Sequence, residues 1–405
     1  MLEQALQAAA ALPDGDPLAA ASALRAAGFP PDLAAAALTQ VALRRKAAAK
    51  FGPDAAVMQF TRAGLEQATR GPVAARRAAR LAAAGATHVA DLGCGIGADT
   101  IAFARAGLRV HAVDASAEAA QAAAANVLAL GLAAGVCVET RDATEVALDG
   151  VDAVFCDPAR RTSGGRRVFD PRAYSPPWDF VVGLAARVPM TVLKLAPGID
   201  HALLPAGAEG EWVSVDGDVV EAAAWCGPLA TAPRRATLFQ GSGVVSLTGT
   251  GLASAPVGPV GNFVYDPDGA VVRSHLVAEF AATVDGTLAD PTIAYVHTAA
   301  AVPSPYGRCY EVLDQLPVAV KRLRGALRSL DVGSLTILKR GSALDVEELR
   351  RSLRLSGTRA AVIALTRVAG APAVLLLDRV ANTGLSTVAD TGLSTTAGPD
   401  GAAGR

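Results

Sequence analysis

Four acids stand at or near the ends of predicted strands, and three glycines follow the first of them: Asp91-x-Gly93-x-Gly95-x-Gly97, then Asp114, Asp142 and Asp157. Glycines in this spacing let the backbone turn sharply and approach a ligand that a Cβ would exclude. The helix predicted to begin near Ala98 then points its unpaired N–H groups at that ligand. Asp114 lies seventeen residues after Gly97, where a ribose diol would sit if adenosine lay across the strand tips. The same stretch also reads Gly93-x-Gly95-x-x-Ala98, the dinucleotide-binding variant, so the loop alone does not choose between cofactor classes.

The positioning elements are five predicted strands: His88 to Leu92, Leu108 to Val113, Val136 to Thr140, Val151 to Cys156 and Met190 to Leu195. The third ends in Arg141-Asp142-Ala143 and the fourth in Asp157-Pro158-Ala159-Arg160. A nicotinamide fold calls for neither Asp91 nor the Asp157-Pro158 pair. In this order, the four motifs resemble the class I S-adenosylmethionine-dependent methyltransferases over roughly residues 51 to 240. The resemblance implies an α/β, Rossmann-like sheet with S-adenosylmethionine as cofactor. It puts Asp91, Gly93, Gly95 and Gly97 at the methionine part, Asp114 at the ribose hydroxyls, and Asp142 with Ala143 at the adenine.

Related families carry Asp/Asn-Pro-Pro-Tyr at the fourth strand tip. There the first residue and a following carbonyl accept hydrogen bonds from a base amino group, and the aromatic stacks on the ring. Here Asp157 and Pro158 remain, while the second proline and the aromatic are lost; Arg160 is left to stack through its guanidinium plane or to contact phosphate. Asp157, Pro158 and Arg160 are therefore the catalytic candidates, with the acceptor atom open. RNA uracil-C5 methyltransferases offer an alternative, since they use a cysteine nucleophile and their fourth-strand motif also ends in arginine. Cys226 is the candidate, although its surroundings, Trp225-Cys226-Gly227-Pro228, match poorly and an isolated cysteine usually belongs to a core.

Composition narrows the setting. The 405 residues are half hydrophobic, with a formal net charge of −1, so two or three domains are expected and a uniform coat for nucleic acid is excluded. Arginine outnumbers lysine 32 to 5, a bias that discounts arguments from single arginines. Five cysteines without a C-x-x-C suggest reduced, buried thiols, and five scattered histidines show no metal-ligand spacing, so no metal is expected. Neither a basic leader nor an apolar run of about 20 residues is present, and a cytoplasmic protein is expected.

The remaining chain divides by composition. Residues 1–50 are alanine-rich and broken at Pro13–Pro17 and Pro30–Asp32, a predicted helical extension. Thr61 is expected to cap a helix, and Arg62, Arg70, Arg76, Arg77 and Arg80 to lie on a solvated face or at the acceptor entrance. Arg160, Arg161, Arg166, Arg167 and Arg172 face a single acid, Asp170, in the loop after Asp157, which suggests a polyanionic acceptor. Residues 241–330, read with the strand expected at Leu335–Lys339, give β-α-β-β-α-β, a ferredoxin-like α+β sandwich.

Residues 331–380, with Leu338-Lys339-Arg340-Gly341 and Leu365-Thr366-Arg367-Val368, resemble the THUMP-like C-terminal domain of a group of bacterial methyltransferases; THUMP domains proper bind RNA in tRNA-modifying enzymes. Residues 318 to 380 hold twelve Lys or Arg against five acids, a net +7 in a chain whose total is −1. A tail over 381–405 is expected to be disordered. Together these readings expect a methyltransferase acting on tRNA or rRNA, with no membrane or metal. Two alternatives are a small-molecule or protein methyltransferase, and a non-catalytic RNA-binding protein with a relic fold.

Overall fold

The computed structural model describes residues 1–13, 15–158 and 175–380. They form two compact units, one of Met1–Gly210 with Ala222–Thr231, the other of Glu211–Glu221 with the chain from Ala232 onward. Arg160, its neighbouring loop arginines and the expected tail lie outside the described residues.

Helices α1 (Leu2–Ala10), α2 (Pro17–Ala26) and α3 (Pro31–Phe51) open the first unit. Asp16 caps α2 by accepting from the Leu18 N–H at 2.8 Å, and Pro17 and Pro31 occupy first-turn positions that need no N–H. Alanines let the three helices approach closely, around Ala5, Leu24, Ala37 and Val41. Helix α3 runs through residue 50, and its last turns join a core with Met58, Phe60, Leu65, Ile96 and Ile101. Gln40 exchanges two hydrogen bonds with the Phe60 backbone, and Lys50 donates to the Leu65 carbonyl at 2.6 Å.

Helices α4 (Arg62–Gln67) and α5 (Gly71–Ala83) lead to the sheet. Its strands are β1 (His88–Leu92), β2 (Arg109–Asp114), β3 (Val136–Thr140), β4 (Ala153–Cys156) and β5 (Met190–Leu195), with α6 (Ala98–Arg105), α7 (Ala117–Ala129) and α8 (Trp178–Arg187) between them. The order is β3-β2-β1-β4-β5, all parallel, followed by the antiparallel end of β7 (Asp218–Trp225). Strands covered on both faces carry near-continuous apolar runs, as in the fully buried Ala-Val-Phe-Cys of β4. Reversal of strand order beside β1 leaves a crevice at the carboxyl ends of the strands, the place where open α/β sheets bind ligands.

Two of the arginines expected on a solvated face of α5 instead turn inward. Arg77 is 2% exposed, pairs with Asp99 and lies 4.6 Å over the Phe155 ring. Arg80 grips Glu209 through two bonds of 2.8 Å. Cation counts along a helix cannot reveal this, because it depends on which acid a neighbouring element brings close.

The second unit holds the hairpin of β8 (Arg234–Gln240) and β9 (Gly243–Gly249) and a seven-stranded sheet. That sheet contains β10 (Phe263–Pro267), β11 (Thr287–Leu288), β12 (Val296–Thr298), β13 (Gly307–Leu316), β14 (Val332–Lys339), β15 (Arg359–Val368) and β16 (Ala371–Arg379). Its helices are α9 (Gly269–Arg273), α10 (Val277–Thr283), α11 (Val320–Ser329) and α12 (Val346–Leu353). The β-α-β-β-α-β elements do occur in sequence, but they do not close into a four-stranded sandwich ending at 330. The order is β11-β12-β10-β13-β16-β15-β14, so β16 and β15 stand between β13 and β14. Buried runs at Val362–Thr366 and Ala373–Leu377 demand the interior of a sheet, and no local pattern names the partner of a strand.

Candidate active site

The loop from Gly93 to Gly97 crosses the carboxyl ends of β1 and β4. Gly93 has φ +88°, and a Cβ there would lie 2.7 Å from the Asp157 carbonyl oxygen, so only glycine lets the loop pass the β4 tip. The Gly93 and Cys94 N–H groups both donate to the Val113 carbonyl at 2.9 Å. Gly97, with φ +87°, precedes α6 and packs on Ala123. Asn126 on α7 ties the loop down: its side chain donates to the Ile96 carbonyl at 2.9 Å and accepts from the Gln59 N–H at 2.6 Å.

Beside this loop is a cavity of about 320 Å³ in the first unit, within the roughly 300–1,000 Å³ usual for ligand pockets. Asp91, Gly93, Gly95, Asp114, Asp142, Ala143, Asp157 and Pro158 line it. Gly97 does not; it shapes the turn from behind. Helix α4 and the residues after it close one side through Thr61, Gly64, Gln67 and Thr69. Thr61 caps α4 by accepting from the Gly64 N–H at 2.9 Å.

Each acid is held differently. Asp91 is fully buried; one carboxyl oxygen accepts from Thr100 Oγ1 at 2.5 Å, and Oδ1 has no partner among the described residues. Burial, reinforced by the nearby Asp99 charge, pushes its pKa up to about 8. Asp114 accepts the Gly95 N–H at 2.9 Å and the Ser116 N–H at 2.8 Å through separate oxygens. Asp142 accepts the Thr144 N–H and hydroxyl at 2.8 and 2.7 Å, which holds its pKa below the usual carboxylate range. Asp157 receives Lys194 Nζ at 2.6 Å.

Sequence reasoning missed several of these neighbours. Asp99 lines the cavity, accepts from Thr69 Oγ1 at 2.6 Å and pairs with Arg77; its signal was an acid in the first turn of the helix after the glycines. Lys194 carried a fainter one, a single cation in the otherwise apolar Met-Thr-Val-Leu-Lys-Leu strand. With Glu118 the described lining residues include six acids against one cation, Arg141.

Cys226 is not among the described lining residues, and covalent catalysis through it is not supported. Its N–H donates to the Thr191 carbonyl at the amino end of β5, the end opposite the cavity, and burial raises its pKa to about 11. A nucleophilic cysteine needs access and a lowered pKa. No described helix is long and apolar enough to cross a membrane.

Comparison with known proteins places three families on the chain. The family described as Methyltransferase domain matches residues 89–162, THUMP domain-like matches 307–379, and a domain of unknown function matches 3–47. The THUMP-like match begins at β13, before the expected boundary at 331. A protein of Mycobacterium tuberculosis, in strains H37Rv and CDC 1551, carries the name uncharacterized S-adenosylmethionine-dependent methyltransferase. It is 37% identical over 342 residues, covering 80% of this chain and 90% of the relative. A crystal structure from Porphyromonas gingivalis W83, 21% identical, shares the fold with a TM-score of 0.69 over 93% of this chain and 96% of that one.

Proposed function

The chain belongs to the S-adenosylmethionine-dependent methyltransferases, and on that premise we propose that it methylates a base in tRNA or rRNA. S-adenosylmethionine is its cofactor; when bound, it supplies a methyl group made electrophilic by the sulfonium. The protein's remaining task is to hold an acceptor in line and manage one proton. The cavity fits such a ligand. Among the described lining residues six acids stand against one arginine, a balance that favours ammonium and sulfonium charge over the pyrophosphate of a dinucleotide. Asp91 Oδ1, buried with no partner among the described residues, is a polar atom left for a group on the ligand.

In this reading the Gly93–Gly97 loop lies under the methionine part. Asp114, whose oxygens each retain a lone pair beyond the backbone N–H they accept, takes the ribose hydroxyls. Asp142 and Ala143 meet the adenine. Asp157, with Pro158 behind it, faces the acceptor.

Segregation of charge carries the RNA half of the reading. The +7 of residues 318–380 leaves −8 for everything else, and this segment overlaps the THUMP-like match. Lys321, Arg322, Lys339, Arg351, Arg354 and Arg359 are all exposed there. A small-molecule or protein acceptor is favoured by a different observation: six of the twelve cations donate to groups of the fold itself. Arg324, Arg328 and Arg350 donate to the carbonyls of Ser352, Arg354 and Leu335, Arg340 pairs with Asp266, Arg351 donates to Glu347, and Arg367 donates to Gly370. Mass spectrometry of tRNA and rRNA nucleosides from a deletion strain separates the two. One methylated nucleoside should vanish and return on complementation; an unchanged nucleoside profile would remove RNA.

A further inference from the structure

We propose that Lys194 is a positioning residue for methyl transfer, acting through Asp157 by holding its carboxylate toward the acceptor. This rests on the reading that Asp157 faces the acceptor.

Register brings the two side chains together. Cys156 of β4 pairs with Leu193 of β5, so the next residues, Asp157 and Lys194, are neighbours across parallel strands. Lys194 Nζ lies 2.6 Å from Asp157 Oδ2, with side chains 5% and 23% exposed. The Asp157 backbone is already fixed: its N–H donates to Leu92 at 3.1 Å, and its carbonyl abuts Gly93. Side-chain rotation is the remaining freedom, and the ammonium removes it.

Stability does not account for the pair. Apolar residues of similar volume in place of a buried ion pair are often neutral or stabilising, and the rest of β5 is apolar apart from Thr191. What Lys194 adds is an oriented anion at the edge of the cavity. With Oδ2 held, Oδ1 is the oxygen left for the acceptor; it has no protein donor among the described residues. An ionised carboxylate can only accept hydrogen bonds.

The test uses the full chain, S-adenosylmethionine with a labelled methyl, and total RNA from a deletion strain as acceptor. S-adenosylhomocysteine binding is read by calorimetry. Misplacement of a reacting group by about 1 Å can cost about 100-fold; Lys194→Met should therefore lower kcat about 100-fold and change the S-adenosylhomocysteine Kd less than about threefold. Lys194→Arg should recover turnover to within about tenfold of wild type, since the guanidinium also pairs with a carboxylate.

Because Lys194 acts through Asp157, the Asp157→Asn/Lys194→Met double variant should be no slower than Asp157→Asn alone. The double variant also leaves no Asp157 carboxylate deprived of its ammonium, so it stays readable if that loss makes Lys194→Met fold poorly. Turnover of Lys194→Met within about threefold of wild type, or a double variant slowed by the product of both single effects, would overturn the proposal. If wild type labels no RNA, the RNA reading fails by itself. Crystal structures then decide the positioning role: the Asp157 carboxylate should leave its wild-type rotamer in Lys194→Met and keep it in Lys194→Arg, and an unchanged rotamer in Lys194→Met would overturn it.

Discussion

Charge is concentrated at two places in this chain and handled in opposite ways. Around the first-unit cavity four acids sit at or near strand tips or, for Asp99, in the first turn of α6, and meet designated partners: Asp114 two backbone N–H groups, Asp142 the Thr144 N–H and hydroxyl, Asp99 Thr69 and Arg77, Asp157 Lys194. In the THUMP-like segment the cations ride on α11, α12 and the strands beside them, and many are exposed. Those that bind internally mostly find carbonyls at chain turns and helix ends. Buried charge is expensive without a partner, so each pair specifies a position. Exposed charge is screened and weak pair by pair, so it acts through its sum. Single substitutions should therefore be severe in the first region and mild in the second.

The severest break is Arg77→Met, which leaves Asp99 buried with Thr69 alone. Loss of one partner of a buried pair costs about 3–5 kcal/mol, and urea unfolding should show that loss. A change below about 1 kcal/mol would mean that the cavity charges are not individually positioned.

The Asp91 carboxyl sharpens the same contrast through pH. Its pKa is raised from 3.8 to about 8 in the fold, so between those values the folded state binds a proton that the unfolded chain has released. Stability contributed by this group is full below about pH 4 and is lost as pH rises through 8, by up to about 1.4 kcal/mol per pH unit. Asp91→Asn should flatten the decline in unfolding free energy between pH 5 and 8. An unchanged slope would mean that Asp91 does not bind that proton.

Asp114→Ala removes an acceptor without leaving a buried charge, and its effect should be smaller. Hydrogen bonds to a charged group contribute about 1.5–3 kcal/mol, so S-adenosylmethionine affinity should fall by one to two orders of magnitude in calorimetry. Unaltered affinity would move the ribose away from Asp114.

The mildest effect per residue belongs to the exposed cations. Reversal of Lys321, Arg322, Arg351 and Arg359 to glutamate should leave the fold intact and flatten the salt dependence of RNA binding, by about 0.7 in log-log slope for each lost single-strand phosphate contact. Arg350 is a poor choice for such a set because it donates to the Leu335 carbonyl. A salt slope equal to that of wild type would show that this surface is only solvated.

From the sequence by itself came the features governed by short-range chemistry. The strands His88–Leu92, Val136–Thr140 and Met190–Leu195 coincide with β1, β3 and β5, because period and glycine punctuation are local signals. Capping by Thr61 was legible for the same reason. The glycine loop and the acids at four strand tips could be found because a doubly wound sheet always puts such tips on one side.

Tertiary structure alone decided the pairings between distant residues. It set Lys194 beside Asp157, Arg77 beside Asp99 and Asn126 across the loop, since a side chain's partner depends on strand register and helix rotation. It interposed β16 and β15 between β13 and β14, where the sequence suggested a separate sandwich. It carried Cys226 to the end of the sheet away from the cavity. Local propensity acts over a few residues, while register, burial and charge partnership are settled only when elements far apart in the chain pack together.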